Sequence, residues 1–373
     1  MGEGHILVFQ WIKTRGSATI WVFLFTAGLI SWAGCGSSEK ASSDTSGLVQ
    51  IFDSLRKEVR IPGLAVAILH DSVILEMVGL GFASIEKGVS VTPNTPFNIA
   101  SVTKPISGTV ALILQERGDL DLDALMNGFD GFTELCTEAK SVGGIFFDDW
   151  ACDDPQLTLR HVLSMTANGS PGIRFYYNPV SFSWASRPMA QVTGESFSNL
   201  VDELIFRPVG MTRSARIHRN QPLSAELQED LATPYHLAKD STYLQSEQPG
   251  PQGDGAAGGV ISTVRDLAVF DMALDGGELL DPAVREEMWT PAGLDIPYGL
   301  GWFVTEVAGD KVVWHTGLWE GAYSALYVKV PANRYTLILL ANSDGLRWES
   351  RLDEAELERS PFARAFLKMV SRQ

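Results

Sequence analysis

Three cysteines and six histidines in 373 residues leave little material for a metal centre. The histidines (His5, His70, His161, His218, His236, His315) are scattered, and neither a His-x-x-x-His nor a Cys-x-x-Cys spacing occurs. Those are the spacings that mark most zinc sites, so metal ligation finds no support. Positive charge is also scarce: 29 Lys and Arg stand against 45 Asp and Glu, a net charge of −16. Binding a phosphate backbone needs a basic face, and the absence of any basic cluster argues against a nucleic-acid partner. No internal repeat is present, and one long hydrophobic run is found, near the start.

That run extends from Ala18 to Ala33, follows Lys13 and Arg15, and ends in small residues before Cys35. A basic start, an apolar body and a small-residue end make an export signal of residues 1–35. Trp32-Ala33-Gly34-Cys35 resembles a bacterial lipoprotein cleavage site, in which Cys35 would carry the lipid and tether the protein to a membrane. Trp32 stands where leucine is usual, so a plain signal peptide and an uncleaved anchor fit the same residues. Gly36, in place of an aspartate, favours an outer-membrane or cell-surface location. Residues 36–47 are Ser-rich and polar, the composition of a flexible spacer. In an exported protein Cys136 and Cys152 meet an oxidising compartment and are expected to bridge the weakly patterned stretch 131–154; two unrelated thiols are the alternative.

The remaining residues, 48–373, have ample apolar content for a large core, the whole chain being 45% hydrophobic. Leu48, Ile51, Phe52, Leu55 and Val59 follow helical spacing up to Pro62-Gly63. Two apolar runs, 64–69 and 73–78, flank Asp71-Ser72 as a β-hairpin. The region from about 100 to 275 is mostly helical, with helices expected over 106–117, over 158–165 capped by Thr158, and over 185–206. Strands are expected at 298–307, 311–315, 322–330 and 335–341, then a helix over 354–370. Strands, helices and strands again imply an α+β fold in which both chain ends build one mainly antiparallel sheet around a helical insertion, with a cleft between the two parts.

Within this frame Ser101-Val102-Thr103-Lys104 carries the chemistry. A serine hydroxyl needs an adjacent base to become a nucleophile, and residues i and i+3 share a helix face, so Lys104 can reach Ser101. Pro105 belongs in the first turn of a helix, which places Ser101 at its N-terminus. The same Ser-x-x-Lys spacing recurs at Ser37/Lys40, Ser54/Lys57 and Ser84/Lys87. Only Ser101 opens an apolar helix and has partners downstream: the aromatic stretch Tyr176-Tyr177-Asn178 and the strand-end His315-Thr316-Gly317.

In this order the motifs resemble the serine β-lactamase and penicillin-binding-protein superfamily, in its class C β-lactamase, D-alanyl-D-alanine carboxypeptidase and esterase branch. The stretches 157–163, 192–194, 206–211, 258–267 and 298–302 share the likeness. It implies a β-lactamase/transpeptidase-like fold and an acyl-enzyme mechanism on β-lactam, D-amino-acid peptide or ester substrates, without metal or organic cofactor. A cleft that holds cell-wall peptides without turnover is the non-enzymatic alternative. By resemblance Ser101 attacks, Lys104 removes its proton with a pKa lowered by the helix end and its neighbours, and a tyrosine relays that proton. Relatives carry Tyr-x-Asn. Counting back from Val192-Thr193-Gly194 makes Tyr177 the catalytic tyrosine, with Pro179 in the asparagine place; a literal match to the motif would make it Tyr176. His315, Thr316, Gly317 and Asn178 are implied in substrate binding, with the Ser101 and Leu318 N–H groups as oxyanion hole. The oligomeric state is not implied by any of this.

Overall fold

Leu64 to Leu69 is an unbroken apolar run because its strand is buried on both faces: β1 (Gly63–His70) has seven buried residues in eight. A two-residue turn follows, Asp71 and Ser72 both having positive φ (53° and 57°). That turn matches the twist of the paired strands it joins. It leads into β2 (Val73–Ser84) and β3 (Val89–Ser90). The last third of the chain adds β4 (Phe303–Val307), β5 (Asp310–Trp319), β6 (Tyr323–Val330) and β7 (Tyr335–Ala341). In this computed structural model, which describes residues 35–250, 253–347 and 355–371, the seven strands form one sheet in the order β3-β2-β1-β7-β6-β5-β4. All neighbours are antiparallel. The two ends of the sequence meet at its centre, where Leu64 to His70 pair with Ala341 to Tyr335, as the strand–helix–strand order requires.

Two compact units divide the chain, Met1–Lys40 and Ala41–Gln373, and the sheet and its helices belong to the second, apart from the first residues of α1. Helix α1 (Cys35–Glu58) and the final helix α7 (Pro361–Val370) meet through Phe52 and Phe362, ring centroids 5.9 Å apart. The helical insertion contributes α2 (Thr103–Glu116), α3 (Phe132–Val142), α4 (Pro179–Ser183), α5 (Ser186–Thr193) and α6 (Val264–Gly276). Every residue of α2 from Thr103 to Leu114 is buried, so this helix is the axle of the molecule and not an amphipathic cover. Helix α6 lies against β1 and β7. It is tied to β6 by a buried cluster in which Lys329 Nζ meets Asp271, Asp275 (3.1 Å) and Thr336 (3.1 Å).

Four expectations need correction. Residues 36–47, read as a flexible spacer, belong to α1; once the apolar turns from Leu48 onward are formed, extending a helix N-terminally fixes one residue per added bond, which is cheap. The first strand of the C-terminal set begins at Phe303 and not at 298, because Gly299 and Gly301 form a turn; a Cβ at Gly301 would stand 2.4 Å from the Lys104 carbonyl. The strand expected to stop at His315 runs on to Trp319, so His315, Thr316 and Gly317 are mid-strand. The last helix starts at Pro361 behind an N-cap at Ser360, a serine–proline start that fixes its first turn. The export segment lies outside the described residues, and of Cys35 only its place at the head of α1 is described. No helix among the described residues is long and apolar enough to cross a membrane.

Candidate active site

Ser101 sits in a 3₁₀ turn, Ala100–Val102, that runs directly into α2. The turn is held from both sides: Ile99 N–H donates to the Val260 carbonyl (3.1 Å) and Ala100 N–H to Asn98 Oδ1 (2.9 Å). Ala100 has φ +47°, a conformation unfavourable for a residue with a side chain, and these contacts keep it there. Ser101 remains partly exposed while the residues around it are buried, so its hydroxyl can be reached.

Lys104, one turn on, is fully buried. Its Nζ lies 2.8 Å from Ser101 Oγ and 3.0 Å from the Ala257 carbonyl. The Tyr177 and Phe182 rings stand 5.1 and 5.5 Å away. No carboxylate among the described residues compensates the ammonium, and burial lowers its pKa to about 7. Burial is therefore what brings this amine into the range of a base near neutral pH.

Tyr177 is the tyrosine brought to this pair. Its ring stacks on Phe303 (centroids 5.8 Å apart) and its hydroxyl is buried without a completed hydrogen bond to any protein group. Burial raises its pKa, and the nearby Ser101 hydroxyl opposes that rise, so Tyr177 is a phenol at neutral pH. Tyr176 points elsewhere, donating to the Ile145 carbonyl at 2.6 Å.

Two residues expected to face the substrate are occupied internally. Asn178 caps α4: Oδ1 accepts from Val180 and Ser181 N–H, and Nδ2 donates to the Phe146 carbonyl and to Asn168 Oδ1. All four of its hydrogen-bonding places are filled, because an asparagine before a proline is a favoured helix start. His315 is fully buried, with Nδ1 2.6 Å from the Thr316 carbonyl and Nε2 2.9 Å from the Tyr298 hydroxyl. A carbonyl only accepts, so the proton is on Nδ1 and Tyr298 donates to Nε2. Burial and then the Lys104 charge push the His315 pKa well down, and the ring is neutral. It leaves no ring nitrogen for a substrate carboxylate or for Tyr177. Tyr298 and Phe303, which sequence spacing did not single out as site residues, complete this wall.

Strand β5 passes directly along the turn that carries Ser101. A Cβ at Gly317 would stand 2.1 Å from the Ile99 carbonyl, so only glycine allows the approach. Strand β4 pairs with β5 only as far as Trp314, and beyond it the edge bearing Thr316, Gly317 and Leu318 is not covered by β4. Thr316 Oγ1 is buried without a partner. Two of the other serine–lysine pairs serve local structure: Ser54 Oγ bonds the Gln50 carbonyl on the exposed side of α1, and Ser84 Oγ accepts from Lys87 N–H.

Cys136 and Cys152 form a disulfide. It braces the stretch between them, whose Ile145 and Phe146 carbonyls accept from Tyr176 and Asn178 on either side of Tyr177. Opening so short a loop costs about 3 kcal/mol in the chain-entropy estimate. The double variant Cys136→Ser/Cys152→Ser is expected to melt several degrees lower and to lose activity severalfold through kcat, measured by calorimetry and steady-state kinetics on the same preparation.

Residues 48–358 match the Beta-lactamase family. Over 331 residues the chain is 26% identical to "Penicillin-binding protein 4*" of Bacillus subtilis (strain 168), covering 80% of this chain and 71% of that protein. It is 27% identical over 253 residues to "Esterase EstB" of Burkholderia gladioli, covering 58% of this chain and 62% of the esterase, under two thirds of its length. Among solved structures, an octameric penicillin-binding protein homologue from Pyrococcus abyssi superposes with a TM-score of 0.69 at 22% identity, covering 81% of this chain and 74% of that one. With a serine, a buried amine and a phenol gathered at the head of α2 and a match spanning most of its length, the chain belongs to the Beta-lactamase family.

Proposed function

We propose that this protein is a serine hydrolase that transfers an acyl group to Ser101 and then to water, with carboxylic esters as its substrates. The observation that carries the reading is the 2.8 Å contact between Ser101 Oγ and a buried Lys104 whose pKa falls to about 7. The neutral amine takes the serine proton as Oγ bonds to the carbonyl carbon. Tyr177, a phenol, returns a proton to the departing alkoxide, so the alcohol leaves neutral. Water then attacks the acyl-enzyme as the Tyr177 phenolate takes its proton, the Lys104 ammonium gives its proton back to Ser101 Oγ, and a carboxylic acid is released. The N–H groups of Ser101 and Leu318 serve as the oxyanion hole, each donor supplying about 3 kcal/mol of transition-state stabilisation.

Esters are favoured over β-lactams and peptides because two of the three side chains expected to grip an amide or a carboxylate are consumed, only Thr316 Oγ1 being left without a partner. Asn178 is a helix cap, Pro179 has no side-chain amide, and His315 is neutral and doubly bonded. The Cys136–Cys152 disulfide and the residues from Lys13 to Cys35 support an exported, lipid-tethered protein.

Acid-quenched incubation with p-nitrophenyl butyrate is expected to leave a butyryl group on the Ser101 peptide, detected by mass spectrometry and absent from Ser101→Ala. Well-folded protein that takes up no acyl group from this ester or from a penicillin would overturn the reading in favour of a non-catalytic binding cleft.

A further inference from the structure

A cavity of about 450 Å³ opens beside the nucleophile. Ser101 does not line it, but the residues one step from the reacting groups do. Gly258 follows the Ala257 carbonyl that holds Lys104, Trp319 follows Leu318, and Asn98 holds the Ala100 N–H. A Cβ at Gly258 would stand 3.8 Å from the Ala100 carbonyl, in ordinary contact, so this part of the lining lies against the turn that carries Ser101. None of the groups in contact with the Tyr177 ring, namely Phe303, His315 and Lys104, lines this cavity. The alcohol that Tyr177 protonates therefore departs on the other side, and the cavity receives the acyl half that stays on Ser101.

The charge of this wall runs against that of the chain. Arg187 lines the cavity, exposed, with its guanidinium 4.1 Å above the Trp184 ring and no acidic partner among the described residues. Arg216, only 4% exposed, lines it too. Its Nη2 bonds the Gly253 and Gly255 carbonyls, its Nε has no partner, and no carboxylate among the described residues bonds to it, the Asp254 charge acting on it only from a distance. Burial lowers its pKa only to about 10, so it keeps its charge at neutral pH. The one acid in the described lining, Asp254, is engaged by the N–H and hydroxyl of Ser198. Two cations against one occupied carboxylate, in a protein of net charge −16, form a local positive site walled by Trp184 and Trp319.

We propose that this cavity is the acyl pocket and that it selects esters whose acyl chain ends in a carboxylate, with Arg187 as the cation that meets it and Arg216 as the fixed charge behind. The inference rests on the acyl-enzyme reading above. A short dicarboxylic half-ester fits it: the aliphatic chain lies against the two tryptophans and the free acid reaches the guanidinium.

The test compares p-nitrophenyl hemiglutarate with the p-nitrophenyl ester of monomethyl glutarate, which has the same acyl chain without the charge. Wild type is expected to favour the hemiglutarate by about tenfold in kcat/KM, falling with added salt, as a partly exposed ion pair should behave. Arg187→Lys should keep the preference, and Arg187→Glu should bring the ratio below one; Arg187 is exposed, so neither change threatens folding. A wild-type ratio of one, or a ratio unchanged in Arg187→Glu, overturns the proposal while leaving the hydrolase reading intact. Failure of both esters to turn over, with Ser101 never acylated, overturns the hydrolase reading and this inference with it.

Discussion

Lys104→Met is expected to abolish turnover at every pH while making the protein harder to melt. In wild type the base is the neutral amine, so kcat/KM should rise about tenfold per pH unit up to about pH 7 and then level off. Methionine fills the same volume but cannot take a proton, and the loss should be about 10³- to 10⁴-fold at the plateau, with no pH-dependent limb remaining. The stability effect has the opposite sign. The folded-state pKa of Lys104 lies below its unfolded value of about 10.5, so between about pH 7 and 10.5 the unfolded chain binds the extra proton. Wild-type stability therefore climbs as pH rises through that window, and below pH 7 the full cost of burying the charge is present, of order 5 kcal/mol. Methionine removes that cost and leaves Ser101 Oγ and the Ala257 carbonyl without their donor, each worth about 1 kcal/mol. The net gain is expected to be about 3 kcal/mol, a rise of roughly 4 °C in melting temperature at pH 6. At pH 10 and above the gain should disappear. Calorimetry of both proteins at pH 6 and pH 10 measures it; a variant less stable than wild type at pH 6 contradicts the assigned burial cost.

The second large effect separates two adjacent tyrosines. Tyr177→Phe keeps the ring that stacks on Phe303 and removes only a hydroxyl that makes no completed bond to protein. Stability should change by less than about 1 kcal/mol, since no satisfied hydrogen bond is lost. The departing alkoxide loses its acid, so kcat should fall about 10²- to 10³-fold. The penalty should shrink across a series of esters as the leaving group becomes more acidic, because a p-nitrophenolate needs a proton less than an aliphatic alkoxide does. Tyr176→Phe removes a 2.6 Å bond to the Ile145 carbonyl and is expected to cost less than about threefold in kcat, acting only through the loop. Equal losses in the two variants, or a larger one in Tyr176→Phe, would reassign the proton donor.

Much of the architecture was legible because it depends on local pattern. The Asp71-Ser72 turn, the unbroken apolar run of β1 and the strand–helix–strand order were enough to place both ends of the chain in one antiparallel sheet. The spacing from Ser101 to Lys104, with Pro105 behind it, was enough to bring that amine to that hydroxyl because one helical turn is a fixed distance. Counting from Val192-Thr193-Gly194 chose Tyr177, the tyrosine that the fold brings beside Lys104.

What the pattern did not reveal was the use to which each polar group is put. Asn178 and His315 have the side chains of binding residues, but a hydrogen-bonding group binds substrate only if the fold leaves it unsatisfied. Neighbours remote in sequence, Phe146 for the one and Tyr298 for the other, had already satisfied them. The same holds for the charges. Residue types alone determined that a serine and a lysine one turn apart could do chemistry. Only the tertiary structure, by enclosing Lys104 without a counter-ion and lining a cavity with Arg187 and Arg216, decided which proton moves near neutral pH and which side of the cleft is positive, because desolvation and Coulomb interactions depend on what surrounds a group in space and not on what precedes it in the chain.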